Sequence, residues 1–339
     1  MISRIYRLVD TKQIELKLRE IPFTKDSVLI KPKHLSICAA DQRYYLGQRD
    51  KETLNKKLPM ALIHEATGSV IHDFSGRHPI GTDVVLIPLK SGSAHSGIKG
   101  NYRIDSLFAS SGVDGFMRDV VSLPVSDVVP IVGDYSEIYV FSELVSVALN
   151  AIEGFEQTCR TSKDSFGVWG DGSTGFIMCL VLRNKYPNAK IYVIGKEPRK
   201  LLKFSFVTKT YYVDQVPSGL QIDHCFECVG TENSEAAISQ MLEMISPQGV
   251  MNLLGVSEEA IAIETRKILD KGLAIVGHSR SDANDFREAV SQINENPIYR
   301  KYLKILISEH ISVKTEADIY RAFERDILND FKTVIHWSL

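Results

Sequence analysis

The chain has 339 residues, of which 44% are hydrophobic and 24% charged, with 40 Lys and Arg against 42 Asp and Glu. That length exceeds one ordinary domain, and the composition excludes disordered, collagen-like and coiled-coil chains. The net charge of −2 supplies no broad basic field for nucleic acid or an anionic membrane, so any bound anion must be held by local cations.

The amino terminus, Met1-Ile2-Ser3-Arg4-Ile5-Tyr6-Arg7, enters a strand-like pattern without a signal-peptide apolar region. With no uninterrupted apolar run of about 18 residues, a cytoplasmic protein without membrane association is expected. Five scattered cysteines, Cys38, Cys159, Cys179, Cys225 and Cys228, suit a reducing compartment. Residues 1–141 alternate short β-rich runs with turns, such as 28–32 and the Gly81-led run 81–87, and read as a compact β-domain. Residues 142–284 change to strands alternating with helices, with strands expected at 166–169, 190–194, 210–213, 224–227, 250–254 and 273–276. This pattern predicts a doubly wound parallel α/β sheet. Residues 285–339 begin helical and end in a strand, 333–337, that should return to the first domain.

The clearest motif, Gly170-Asp171-Gly172-Ser173-Thr174-Gly175, follows the first of those strands and opens an apolar helix. Gly170, Gly172 and Gly175 would form the tight turn, admit a pyrophosphate to the backbone and allow close packing. Ser173 and Thr174 would lie at the helix start facing the negative charge. The second strand ends at Gly195, where an NAD-specific site carries an acid, and Lys196, Arg199 and Lys200 follow. These cations suit the extra phosphate of NADPH, with Glu197 opposing. On this reading an Asp at position 195 should move preference toward NADH.

Cys38 and His64-Glu65, both in the β-domain, offer thiolate, imidazole and carboxylate, the mixed donors of a catalytic zinc with one open position. A lone cysteine is more often a small hydrophobe and a lone histidine a satisfied polar group, so residue types alone leave the metal open. The remaining histidines, His34, His72, His78, His95, His224, His278, His310 and His336, have no comparable context and read as surface or core residues.

At these residues the chain resembles the zinc-dependent medium-chain dehydrogenases, which pair a GroES-like catalytic domain with a Rossmann domain. The Cys-x-x-Asp segment corresponds to Cys38 and Asp41, the Gly-His-Glu signature to Ile63-His64-Glu65, and the Gly-Asp-x-Val-Val turn to Gly81-Thr82-Asp83-Val84-Val85. The later Glu-Cys-Val-Gly run corresponds to Glu227-Cys228-Val229-Gly230. In the polyol dehydrogenase branch a glutamate near the metal matches Glu143, which implies Glu65 and Glu143 as alternative ligand and supporting group. Asp41-Gln42-Arg43-Tyr44-Tyr45 resembles a segment of sorbitol dehydrogenase whose first tyrosine touches substrate, which nominates Tyr44. Gly277-His278-Ser279-Arg280 likewise nominates Arg280.

Whole stretches, including 39–45, 57–60, 111–117 and 254–258, are similar to the ribulose-5-phosphate reductases of ribitol teichoic-acid and capsule synthesis. The resemblance implies one catalytic zinc ion per chain and NADPH-dependent reduction of D-ribulose 5-phosphate to D-ribitol 5-phosphate. A cytidylyltransferase would then convert the product to CDP-ribitol. It also implies a homodimer joined edge to edge through the Rossmann sheets. Arg280 and Arg43 are the cations expected to read the substrate phosphate, and the reaction is expected in the cleft between the domains.

Two departures matter. Ala40 stands where zinc alcohol dehydrogenases carry the Ser or Thr that relays a proton, and the loop 91–112 holds no cysteine for a second, structural zinc. Cys225 and Cys228, spaced along a strand, read as buried thiols. An oxidant of unphosphorylated polyols and a catalytically silent dinucleotide-binding protein remain the competing functions.

Overall fold

The structure is a computed structural model that describes residues 1–93, 97–133, 135 and 137–339, so His95 lies outside the described residues. The chain folds as two units, Met1–Ser146 with Ser281–Leu339, and Val147–Arg280. The division falls inside the helix Ser142–Thr158.

The first unit is built on antiparallel strands. Its largest sheet runs Val128–Pro130, Asp83–Leu86, Glu65–Asp73, Ser27–Ser36, Lys332–Trp337 and Ile307–Val313, with Val121–Pro124 also on Ser27–Ser36. Lys332–Trp337 pairs antiparallel with Ser27–Ser36, bringing Ile335 opposite Leu35. The apolar carboxy-terminal strand thereby buries Ile335 and Trp337 in the core of Ile5, Leu8, Val28, Leu35, Phe116 and Phe323. Ile307–Val313, a strand not anticipated from the sequence, pairs parallel with the last strand. A smaller sheet joins Ile2–Asp10 to Gln13–Glu20 and Met60–Ala61.

The second unit holds a parallel six-stranded sheet in the order Lys209–Tyr212, Lys190–Gly195, Ser165–Trp169, His224–Glu227, Val250–Leu253, Ala274–Gly277. All six strands lie where the apolar runs placed them. The order reverses direction at Ser165–Trp169, and this switch point is where such sheets bind dinucleotides. One connection departs from expectation, because residues 213–223 form turns rather than a helix. Ser165–Trp169 is buried throughout, as a central parallel strand must be.

The segment Glu137–Thr158 has the length and mean hydropathy, 1.4, of a membrane span, but 78% of that window is buried inside the protein. Its apolar residues therefore serve as core: Phe141, Val145, Ala151 and Phe155 are buried.

Candidate active site

The two functional regions lie in different units, so each is built up separately. In the first unit, Cys38 precedes the helix Ala39–Tyr45, and its N–H donates to Asp41 Oδ2 at 3.1 Å. Asp41 is completely buried, and its Oδ1 accepts from Ile63 N–H at 3.0 Å and Ser110 Oγ at 2.5 Å. The same oxygen lies 3.5 Å from His64 Nδ1. One carboxylate thus fixes the cysteine turn, the histidine segment and a distant loop together.

Ile63 has a φ of +67°. A β-branched residue avoids this left-handed region, at a cost of about 1–3 kcal/mol that the surroundings must outweigh. The bond to Asp41 and the acceptance of Phe116 N–H by Ile63 C=O, 2.8 Å, hold it there. The backbone explains why the resembled signature carries glycine at this place.

Cys38, His64 and Glu65 converge, with one ligand-type atom from each within 4.8 Å of the others. His64 and Glu65 are buried and Cys38 is half-buried. Glu65 Oε1 accepts from Lys332 Nζ at 2.6 Å, while Oε2 is buried without a hydrogen-bond partner among the described residues. A buried carboxylate with one oxygen left bare, on a residue clustered with a thiol and an imidazole, is the chemistry of a cation ligand. Asp41 and Glu65 are fully buried acids, and Glu143 is buried near them, so a divalent ion also fits the charge of the group. The donor set therefore fits zinc.

Glu143, in the first turn of the helix Ser142–Thr158, is buried but outside the three-residue cluster. Burial, assisted by the charge of Glu65, pushes its carboxyl up to about 7, although His64 and Lys332 pull the other way. Burial disfavours a proton on His64, but the charge and hydrogen bond of Asp41, with Cys38 adding, hold it well above its ordinary value. Burial likewise disfavours the charged form of Lys332, yet Glu65 and Cys38 raise its affinity for the proton.

Lys332 is a site residue that was not anticipated from the sequence. Its ammonium also donates to Ile37 C=O at 2.9 Å. The available signal was a lysine opening the apolar run Thr333-Val334-Ile335, where an unpaired charge would be costly.

Tyr44 is buried, with Arg49 Cζ 4.8 Å and Lys57 Nζ 5.8 Å from its ring centroid. Arg43 is half-buried in the last turn of Ala39–Tyr45. Arg280 belongs to the other unit, where it is half-buried with φ +59° and its C=O accepts from Asn150 Nδ2 at 3.1 Å.

In that second unit, Gly170 has φ +122°, and a Cβ there would meet Cys228 C=O at 2.7 Å. A Cβ on Gly175 would come 1.9 Å from Gly170 C=O, while one on Gly172 would meet nothing within 4 Å. Turn and close packing thus account for the outer glycines, and the open side at Gly172 is what a pyrophosphate approach requires. Gly172 caps the helix Ser173–Lys185, with Ser173 and Thr174 in its first turn. Lys196 and Arg199 are exposed and Lys200 is half-buried. Lys196 Nζ donates to Asn233 Oδ1 at 3.0 Å.

Asp171 supplies an acid that the motif's spacing did not single out. Its Oδ2 accepts from the N–H groups of Lys196 and Glu197, both at 2.7 Å, and lies 2.5 Å from where a Cβ on Gly195 would be. An Asp at position 195 would therefore have to displace the Asp171 carboxylate before it could reach a ribose and favour NADH. Gly195→Ala should instead cost about 1–3 kcal/mol through crowding, read as a lowered Tm, and should weaken NADPH and NADH alike.

Cys225 is buried in the strand His224–Glu227 and Cys228 just beyond its end, and burial raises both thiols. Glu227 is also buried, its Oε1 accepting from Val229 and Gly230 N–H and Ser234 Oγ, and its Oε2 from Gly255 N–H. This run is structural, tying two strand ends together.

The GroES-like β-unit, the Rossmann unit and the Cys38–His64–Glu65 cluster define a zinc-type medium-chain dehydrogenase/reductase. Family models agree: the alcohol dehydrogenase GroES-like domain matches residues 24–133, and the glucose dehydrogenase C-terminus matches 137–337. Over the full length of both chains, the sequence is 42% identical to the ribulose-5-phosphate reductase of Bacillus spizizenii and 44% identical to ribulose-5-phosphate reductase 2 of Staphylococcus aureus. The crystal structure of S. aureus TarJ in complex with NADPH superposes with a TM-score of 0.88 at 39% identity, covering both chains completely. The chain belongs to the ribulose-5-phosphate reductase family.

Proposed function

We propose that this protein reduces D-ribulose 5-phosphate to D-ribitol 5-phosphate with NADPH, at a single zinc site formed by Cys38, His64 and Glu65. The observation that carries the reading is the convergence of Cys38, His64 and Glu65, with Glu65 Oε2 buried and bare of a hydrogen-bond partner among the described residues, in a chain of this family. When bound, zinc supplies Lewis-acid polarisation of a carbonyl and NADPH supplies the hydride.

The protein groups have distinct tasks. Asp41 holds His64 by its Nδ1 side, which fixes the ring's orientation and leaves Nε2 to a ligand. Lys332 holds Glu65 by one oxygen and leaves the other free. Glu143 supports the site as an alternative carboxylate. Ala40 has no hydroxyl, so the proton that completes the alcohol arrives by a route other than residue 40. In the nucleotide unit, the turn from Gly170 to Gly175 receives the pyrophosphate, and Arg199 and Lys200 receive the extra phosphate of NADPH. Tyr44, Arg43 and Arg280 are assigned to the substrate.

The function is tested by following NADPH oxidation with D-ribulose 5-phosphate, ribulose and fructose, with and without added zinc. A preference for unphosphorylated sugars or for NADH would overturn it. For the cofactor, Arg199→Ala with Lys200→Ala should raise the KM for NADPH on the order of tenfold or more while leaving that for NADH nearly unchanged. Equal changes would return both residues to ordinary solvated surface.

A cytoplasmic location, a cytidylyltransferase acting on the product and a homodimer complete the reading. Support for the dimer is the position of Ala274–Gly277 as the last strand of its sheet, paired on one side only among the described residues. Sedimentation at micromolar concentration that shows only monomers would remove the dimer.

A further inference from the structure

The turn from Phe108 to Val113 touches three things at once. The Phe108 ring lies 5.4 Å from the His64 ring, Ser110 Oγ donates to Asp41 Oδ1, and Ser111 Oγ accepts from Lys57 Nζ at 3.0 Å. Positive φ values at Ser110, +59°, and Gly112, +98°, make the turn tight, and it is closed by Ser110 N–H to Val113 C=O. Lys57 ends the helix Lys51–Lys57, seven residues before His64 in sequence. The cation is therefore coupled to the proposed zinc ligand through two adjacent serines and one carboxylate.

Lys57 is half-buried, yet among the described residues its ammonium meets the Ser111 hydroxyl and the face of Tyr44, and no carboxylate. A partly desolvated ammonium held by neutral groups keeps its charge available for an anion. Arg49 shares the Tyr44 ring and adds a second positive charge to the same place. The Tyr44 ring limits where these flexible stems can go, so less side-chain freedom is lost when an anion binds.

We infer that Lys57, seated on Tyr44 and Ser111, binds the phosphate of the substrate and sets the preference for a phosphorylated sugar. The inference deepens the proposed reduction of a sugar phosphate at the Cys38–His64–Glu65 cluster and rests on it. In a 5-phosphoketose the carbonyl carbon and the phosphorus are separated by three carbons and an ester oxygen. A subsite for that phosphate must therefore lie beside the metal cluster rather than within it. Lys57 meets this condition within one unit of the fold. The phosphate dianion would accept from the ammonium and from Ser111 Oγ–H, while the Tyr44 ring holds the ammonium in place beside the substrate.

The test uses the zinc-loaded, full-length enzyme and its Lys57→Met and Lys57→Arg variants. The ratio of kcat/KM for D-ribulose 5-phosphate to that for ribulose should fall about 30-fold or more in Lys57→Met, since one partner of a charge-assisted contact is removed. Lys57→Arg, which keeps the charge, should recover much of the ratio. Binding of inorganic phosphate, followed by calorimetry without NADPH, should weaken in parallel. Tyr44→Phe should preserve phosphate binding and Tyr44→Leu should weaken it.

An unchanged ratio and unchanged phosphate binding in Lys57→Met would overturn the inference and leave the reductase reading standing. If the wild-type enzyme fails to reduce D-ribulose 5-phosphate while Lys57→Met still abolishes phosphate binding, the anion site stands and the substrate assignment falls. Inorganic phosphate binding that is lost equally in a distant lysine variant, Lys267→Met, would mark nonspecific charge and overturn the site.

Discussion

Cys38→Ala should yield a folded protein that has lost its zinc and its reductase activity together. The wild-type chain should carry about one zinc ion, and kcat/KM in the variant should fall by at least on the order of a thousandfold, because carbonyl polarisation by a metal contributes several kcal/mol. Cys38 is the better first choice because it is half-buried and forms the turn through its backbone N–H, which alanine retains. His64→Ala removes metal as well, but it also leaves the fully buried Asp41 without its imidazole partner, so some of its loss reflects folding. Metal content by atomic emission, circular dichroism and turnover on the same preparation separate these effects. About two zinc ions per wild-type chain, or full activity after thorough chelation, would contradict the single catalytic site.

The second large effect concerns Lys332. Its side chain is 6% exposed and that of Glu65 0%, and their contact at 2.6 Å is the one hydrogen bond to the Glu65 carboxylate among the described residues. Lys332→Met leaves a buried carboxylate without its cation, a change that costs about 3–5 kcal/mol. The loss should be larger in chelated protein than in zinc-loaded protein, because a bound cation also neutralises Glu65. Denaturant unfolding with and without metal measures both values. Adding Glu65→Gln to Lys332→Met should recover part of the stability of the metal-free form without recovering activity. Equal losses with and without zinc would show that Glu65 does not face the metal.

Much of this molecule is legible in its sequence because local chemistry marks it. Apolar runs of strand length place all six strands of the nucleotide-binding sheet, and Gly170 and Gly175 stand where the backbone needs positive φ or close packing. Cys38, His64 and Glu65 are recognisable as donor types, and they do converge. The parts that were not legible depend on residues far apart in the chain. Lys332 reaches Glu65 only because the last strand pairs with Ser27–Ser36, and the anion-ready Lys57 meets Ser111 only through the turn that follows Phe108.

Gly195 shows the difference most plainly. Residue types along the chain are enough to show that no acid stands at the end of the second strand and that cations follow it. That the carboxylate of Asp171, from the preceding turn, fills that space and holds the next two N–H groups emerges from the folded chain alone. Residue type fixes which charges and hydrogen-bonding groups exist, while long-range strand pairing selects which of them face one another in a buried, low-dielectric setting where an unpaired group is costly.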